Sequence, residues 1–113
     1  MISHVVLMTP RSDLSAHDRT AMIAALRRAL EQIPSVRAVR IGRRIRHGAG
    51  YESANDESGD YAAIIDFDNL DGLRAYLTHP AHDDLGRRFY ECLKLASVYD
   101  YEVGGIELLE QLS

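Results

Sequence analysis

The chain has 113 residues, 46% of them hydrophobic and 27% charged, with a net charge of -4. That length predicts one domain spanning 1–113, with a core buried to a little under ~70% of the unfolded surface. The mixed charge excludes a disordered chain, and the acidic balance argues against nucleic acid as the main partner. The early apolar run Val5-Val6-Leu7-Met8 is far too short for a membrane span, and no cationic segment precedes it as a leader would require. Cys92 is the lone cysteine, so no internal disulfide is expected and a cytoplasmic protein fits best. Six Tyr and five His stand against two Phe and no Trp. Such amphipathic side chains belong to wet pockets as well as to cores.

Ile2 to Thr9 is apolar and β-branched and stops at Pro10, which predicts a strand. Ser15 suits an N-cap, with Asp18 three positions on, and Met22, Leu26, Leu30 and Ile33 recur at helical spacing. A helix is therefore expected from Ala16 to Gln32, ended by Pro34. Val36 to Arg46 reads as a second strand, with Gly42 a candidate bulge. His47 to Asp60 is a polar, Gly-containing loop, and Tyr61 to Phe67 a third strand. Asn69 can cap a short helix bearing Leu70, Leu73 and Leu77. Pro80 then opens another helix through about Leu93, since Pro suits the first helical position. Ala96 to Val103 is a fourth strand, broken by Gly104-Gly105, and 104–113 forms a tail. The order β-α-β-β-α-β is the ferredoxin-like pattern, an α+β fold with a four-stranded antiparallel sheet and helices on one face.

The strand pattern points to a partner. A sheet with one wet face alternates apolar and polar residues, yet the first and third strands are apolar on both sides. Helices cover only one face, so a second copy of the sheet is the simplest cover for the other, and a homodimer is expected. The alternative is a monomer that tolerates an apolar face.

The most specific stretch is Tyr76-Leu77-Thr78-His79-Pro80-Ala81-His82. With Pro80 first in the helix, His82 is third and sits in the positive field of a helix N-terminus. That field disfavours imidazolium and leaves His82 available as a base. Tyr76 could supply a phenolic hydrogen bond. By spacing alone, two histidines around a Pro turn suit helix capping better than catalysis. Their separation also suits metal ligation, but no Cys lies nearby in sequence and no HExxH-type pattern exists, so no metal is expected. His4 lies in an apolar strand with Ile2 and Val6; were that the face enclosed by a dimer, His4 would line a cavity there. Asp100 stands between Tyr99 and Tyr101, and a buried acid needs a partner, for which histidine is a natural choice. The run Arg37, Arg40, Arg43, Arg44 and Arg46 reads as a solvated edge that discourages aggregation, with an anion-binding handle as the alternative. The acids Glu52, Asp56, Glu57 and Asp60 could neutralise it.

The Ser3-His4-Val5-Val6-Leu7 start, the Tyr76-x-x-His79-Pro80-x-His82 stretch and the Val98-Tyr99-Asp100-Tyr101 ending resemble the stress-responsive A/B barrel (Dabb) family. The resemblance covers roughly residues 2 to 103 and implies a dimeric α+β barrel. The plant polyketide cyclases of that family, the olivetolic acid cyclase type, imply a cofactor-independent mechanism. His82 would be the general base of an intramolecular aldol condensation, Tyr76 would polarise a substrate carbonyl, Asp100 would orient His82, and His4 and His79 would belong to the pocket. Those cyclases carry a further pocket histidine two residues after a strand tyrosine; here that place, after Tyr61, is Ala63, so their substrate does not carry over. The expected function is a homodimeric protein with a small-molecule pocket and cyclase- or lyase-like acid-base chemistry on a carbonyl compound. The alternatives are a non-catalytic, stress-related ligand-binding protein and, third, a monooxygenase of the same superfamily, for which a haem signature is missing.

Overall fold

The computed structural model describes residues 1–55 and 59–112. Along the chain come β1 (Ile2–Pro10), α1 (Ala16–Gln32), β2 (Ala38–Arg43), β3 (Tyr61–Phe67), α2 (Leu70–Leu77), α3 (Pro80–Cys92) and β4 (Leu93–Glu102). Short 3₁₀ turns occupy Gly50–Ala54 and Ile106–Leu112. None of the helices among the described residues is long and apolar enough to cross a membrane.

Local signals set the boundaries. The Ser15 hydroxyl accepts from Asp18 N at 3.1 Å and opens α1. Pro34 pushes Ile33 out of the helical region, to φ -81° and ψ 115°, which ends it. The Asn69 side chain accepts from Gly72 N at 2.9 Å and starts α2. Pro80 is the first residue of α3, where its missing N–H costs no hydrogen bond. Strand β2 is shorter than expected, and Gly42 pairs in unbroken register with Ala62. No bulge forms there; the register shift lies instead between Thr9 and Pro10, against β4.

The sheet is antiparallel with order β2-β3-β1-β4, the ferredoxin-like arrangement read from the element order. Register divides its residues between two faces. Val6, Met8, Ala63, Ile65 and Phe67 are buried under the helices against Ala25, Ala29, Leu73, Tyr76 and Leu85. His4 pairs with Ile65 and Asp100 on this same face. Of the two placements left open for His4, the structure shows the core-facing one: its face is the one that α1, α2 and α3 cover. The opposite face carries half-buried Val5 and Ile64 and exposed Leu7, Leu95, Tyr99 and Tyr101. Nothing among the described residues covers it. All six residues of β2 are exposed, as a charged edge strand requires.

Candidate functional site

Between the sheet and the helices lies a cavity of about 180 Å³. The strands β1 and β3 supply His4, Val6, Ala63 and Ile65 as its floor, while α2 and α3 bring Tyr76 and His82 over it. These polar groups are close together. The Tyr76 ring stands edge-on to both histidines, with centroids 4.8 Å from His82 and 5.8 Å from His4. Phe67 packs on Tyr76 at 5.2 Å and fixes the phenol from behind. The rest of the lining is almost wholly apolar, including Leu85 and Phe89 of α3.

Tyr76 is 1% exposed, yet among the described residues neither its hydroxyl nor the His82 ring has a hydrogen-bond partner. Buried tyrosine hydroxyls usually find one. Burial pushes the Tyr76 phenol up to about 12, so it stays protonated and able to donate. Burial lowers the His82 pKa from the ordinary histidine value, and His4 lowers it further, against a smaller opposing effect of Asp83. The direction agrees with that read from the helix position; burial is its leading cause.

Asp100 does not reach His82. Its Oδ1 lies 2.5 Å from His4 Nδ1. A carboxylate oxygen accepts, so His4 Nδ1 carries the donated proton and Nε2 is the ring nitrogen left towards the cavity. The expected orientation of His82 by Asp100 is thus corrected to orientation of His4, its cross-strand neighbour. His79 is also placed differently. Its Nδ1 accepts from Ala81 N at 3.0 Å and caps α3, which commits the ring to the helix end and leaves it outside the cavity lining. Ala63 is 1% exposed and lines the cavity floor. His17 and His47 are on the surface.

Two further expectations find their place. Glu52 accepts from the backbone of His47 at 2.8 Å and of Ala49 at 3.1 Å; these bonds organise its own loop, and the Arg46 charge adds a smaller effect that also holds its carboxyl below the usual carboxylate range. Arg37 pairs with Asp68 at 2.7 Å, and Asp56 and Glu57 lie outside the described residues. Cys92 is buried and its thiol donates to the Asp18 carbonyl, at 3.7 Å. The apolar lining was not singled out from sequence, although Leu85 and Phe89 stand four apart and share a helix face.

Comparison with known proteins agrees with the fold. The family model described as the stress responsive A/B barrel domain matches residues 2–103. No match was found among curated protein sequences. A Bacteroides fragilis protein, described as dimeric, of unknown function and of ferredoxin-like fold, is 26% identical, with 90% of this chain and 95% of that one covered and a TM-score of 0.62. A Dabb family protein from Mesorhizobium loti is 18% identical, with 92% and 97% covered and a TM-score of 0.70. The hydroxynitrile lyase from Passiflora edulis is 15% identical, with 91% and 93% covered and a TM-score of 0.72. The last two likenesses concern the fold alone. With the element order, the sheet topology and a family match over nearly the whole length, the chain belongs to the stress responsive A/B barrel domain family.

Proposed function

We propose that the cavity binds a small carbonyl compound and carries out cofactor-independent acid-base chemistry on it, of the cyclase or lyase kind. The observation that carries this reading is the convergence of the His82 and Tyr76 side chains, neither hydrogen-bonded among the described residues, on one small and mainly apolar cavity beside His4. Neutral His82 accepts a proton, either from carbon next to the carbonyl or from a hydroxyl beside it. Tyr76 donates to the carbonyl oxygen and supports the charge that develops there. The His4–Asp100 pair presents a second imidazole of fixed tautomer, which can hold the ligand or pass a proton on. The apolar wall keeps water from competing and selects a compact substrate. A fold likeness to a hydroxynitrile lyase is compatible with this chemistry and does not by itself establish it.

The working unit of this reading is a homodimer formed through the uncovered sheet face. Leu7, Leu95, Tyr99 and Tyr101 give that face a row of large exposed side chains, and similar proteins are described as dimeric. Non-catalytic ligand binding is the second reading, favoured by the small, mainly apolar cavity. The test is a turnover screen of small aldehydes, ketones and β-keto compounds with wild type and His82→Ala. Loss of turnover with fold and dimer kept supports the base role. Equal turnover in both rejects it, and a ligand-dependent rise in melting temperature without any product supports the binding reading.

A further inference from the structure

Two residues that line the cavity at His82 and Tyr76 are exposed although they face an interior space. They are Gly86 of α3 and Val98 of β4, the latter by 49%. Val98 pairs with Val6 on the side of the sheet that the helices cover, and β4 is an edge strand. Gly86 lies on the matching side of its helix. Asp84 pairs with Arg28 of α1 at 3.2 Å, which marks the side of α3 turned to α1. Two residues on, Gly86 is rotated roughly 200° from it, to the far side. The cavity therefore meets the surface where α3 passes over the β4 edge.

Outside that gap lies an open recess. It shares Leu77, His82 and Gly86 with the cavity and continues over Asp83, Arg87 and Tyr90. His82 and Gly86 stand four apart and are neighbours on the helix surface, the first half-buried and the second exposed. Tyr90, on the outer side, is 91% exposed. Glycine leaves the passage clear: a Cβ at 86 would meet no atom within 4 Å among the described residues. The other candidate route is the groove between α1 and the β2 edge, with Ile23 and Ile41 in its lining. That groove has only one described lining residue in common with the cavity, the half-buried Leu26.

We infer that the gap between Gly86 and Val98 is the mouth of the cavity and that Gly86 is a specificity-determining residue, its missing side chain setting the cross-section admitted. A ligand entering this way passes His82 first and reaches His4 behind it. The mouth opens on the helix side of the sheet, opposite to the face proposed for the second copy. The inference rests on the cavity of the proposed function being a binding site and does not need its carbonyl chemistry.

Methyl NMR with benzene as the probe tests it, since a mainly apolar cavity of this size accommodates such a ring. The reporters are the methyls of Val6 and Ile65, both buried in the cavity lining. Benzene shifts them in wild type. Gly86→Leu slows association and dissociation by about tenfold each while affinity changes by less than about threefold, because an obstruction at a mouth raises the barrier in both directions. Val98→Phe, on the opposite lip, has the same effect and stands in should Gly86→Leu not fold, as circular dichroism melts verify. Ile23→Trp, in the α1–β2 groove, leaves both rates unchanged. Equal rates in wild type and both lip variants overturn the inference, as does slowing by Ile23→Trp. Affinity lost with the association rate kept also overturns it, since Gly86 is then a wall and not a mouth. So does the absence of any Val6 or Ile65 shift at the solubility limit of benzene. The carbonyl chemistry is judged separately: cyclohexanone that binds no more tightly than benzene, with no loss in Tyr76→Phe, rejects that reading and leaves the mouth standing.

Discussion

Replacing Asp100 separates two roles that its carboxylate combines. His4 is 3% exposed and its Nδ1 has Asp100 as partner. Asp100→Ala leaves a buried donor without its acceptor, a loss of about 1–3 kcal/mol. The Asp100 side chain is itself 43% exposed, so water can enter the vacated space and replace part of the bond, which places the expectation near ~1 kcal/mol. For a chain of 113 residues, an unfolding entropy of about 2.1 cal/mol/K per residue makes that a fall of roughly 4 °C in melting temperature. Asp100→Asn keeps an oxygen acceptor and drops the charge, so it falls by no more than about half as much. Differential scanning calorimetry at pH 7 reads both. The functional arm is the His4 tautomer, read by ¹⁵N chemical shifts of the ring: Nδ1 stays protonated in wild type and in Asp100→Asn, and the tautomers mix in Asp100→Ala. Equal melting temperatures for wild type and Asp100→Ala, or an Nε2-protonated His4 in wild type, would refute the reasoning.

The other side chains of the motif answer to different assays. His79→Ala removes the α3 cap and destabilises by about 1 kcal/mol, while ligand binding or turnover at the cavity is kept; loss of activity at unchanged stability would return His79 to the site. The lowered His82 pKa means that the unfolded chain binds the proton more readily than the folded one, so stability rises with pH. The contribution of His82 is fully present above about pH 6.5 and declines as pH falls towards its folded value. Urea melts of wild type therefore weaken on acidification through that window, and His82→Gln shows a flatter acid limb; parallel limbs contradict the burial argument. Cys92, 2% exposed, reacts with an aromatic disulfide reagent only at the rate of unfolding, and fast labelling of the native chain would contradict its placement.

The fold was largely legible because its signals are local. Ser15, Asn69 and the prolines at 34 and 80 mark helix ends by side-chain geometry that needs no tertiary partner, and α1 spans the expected residues. The uncovered sheet face could be read too, since the apolar residues of β1 occupy both sides of a strand whose period is two. What remained hidden depends on register between distant strands. Which face of β1 the helices cover is decided by packing, and alternation alone gives both answers. The partner of Asp100 is His4 because the β1–β4 register aligns them, 96 positions apart in the chain. The histidines at 79 and 82 look alike in sequence and differ by one geometric fact: the cap position turns one ring onto the helix end, while the third helical position carries the other over the cavity.

The central claim is that the cavity between sheet and helices receives a small carbonyl compound at His82 and Tyr76. Its most direct measurement is ring-resolved NMR of the five histidines during titration with small ketones and aldehydes. The account predicts that a binding compound shifts the His82 and His4 rings together, leaves His17 and His47 unmoved, and loses affinity in Tyr76→Phe. Binding that perturbs only the surface histidines, or leaves His82 unmoved at saturation, would contradict it.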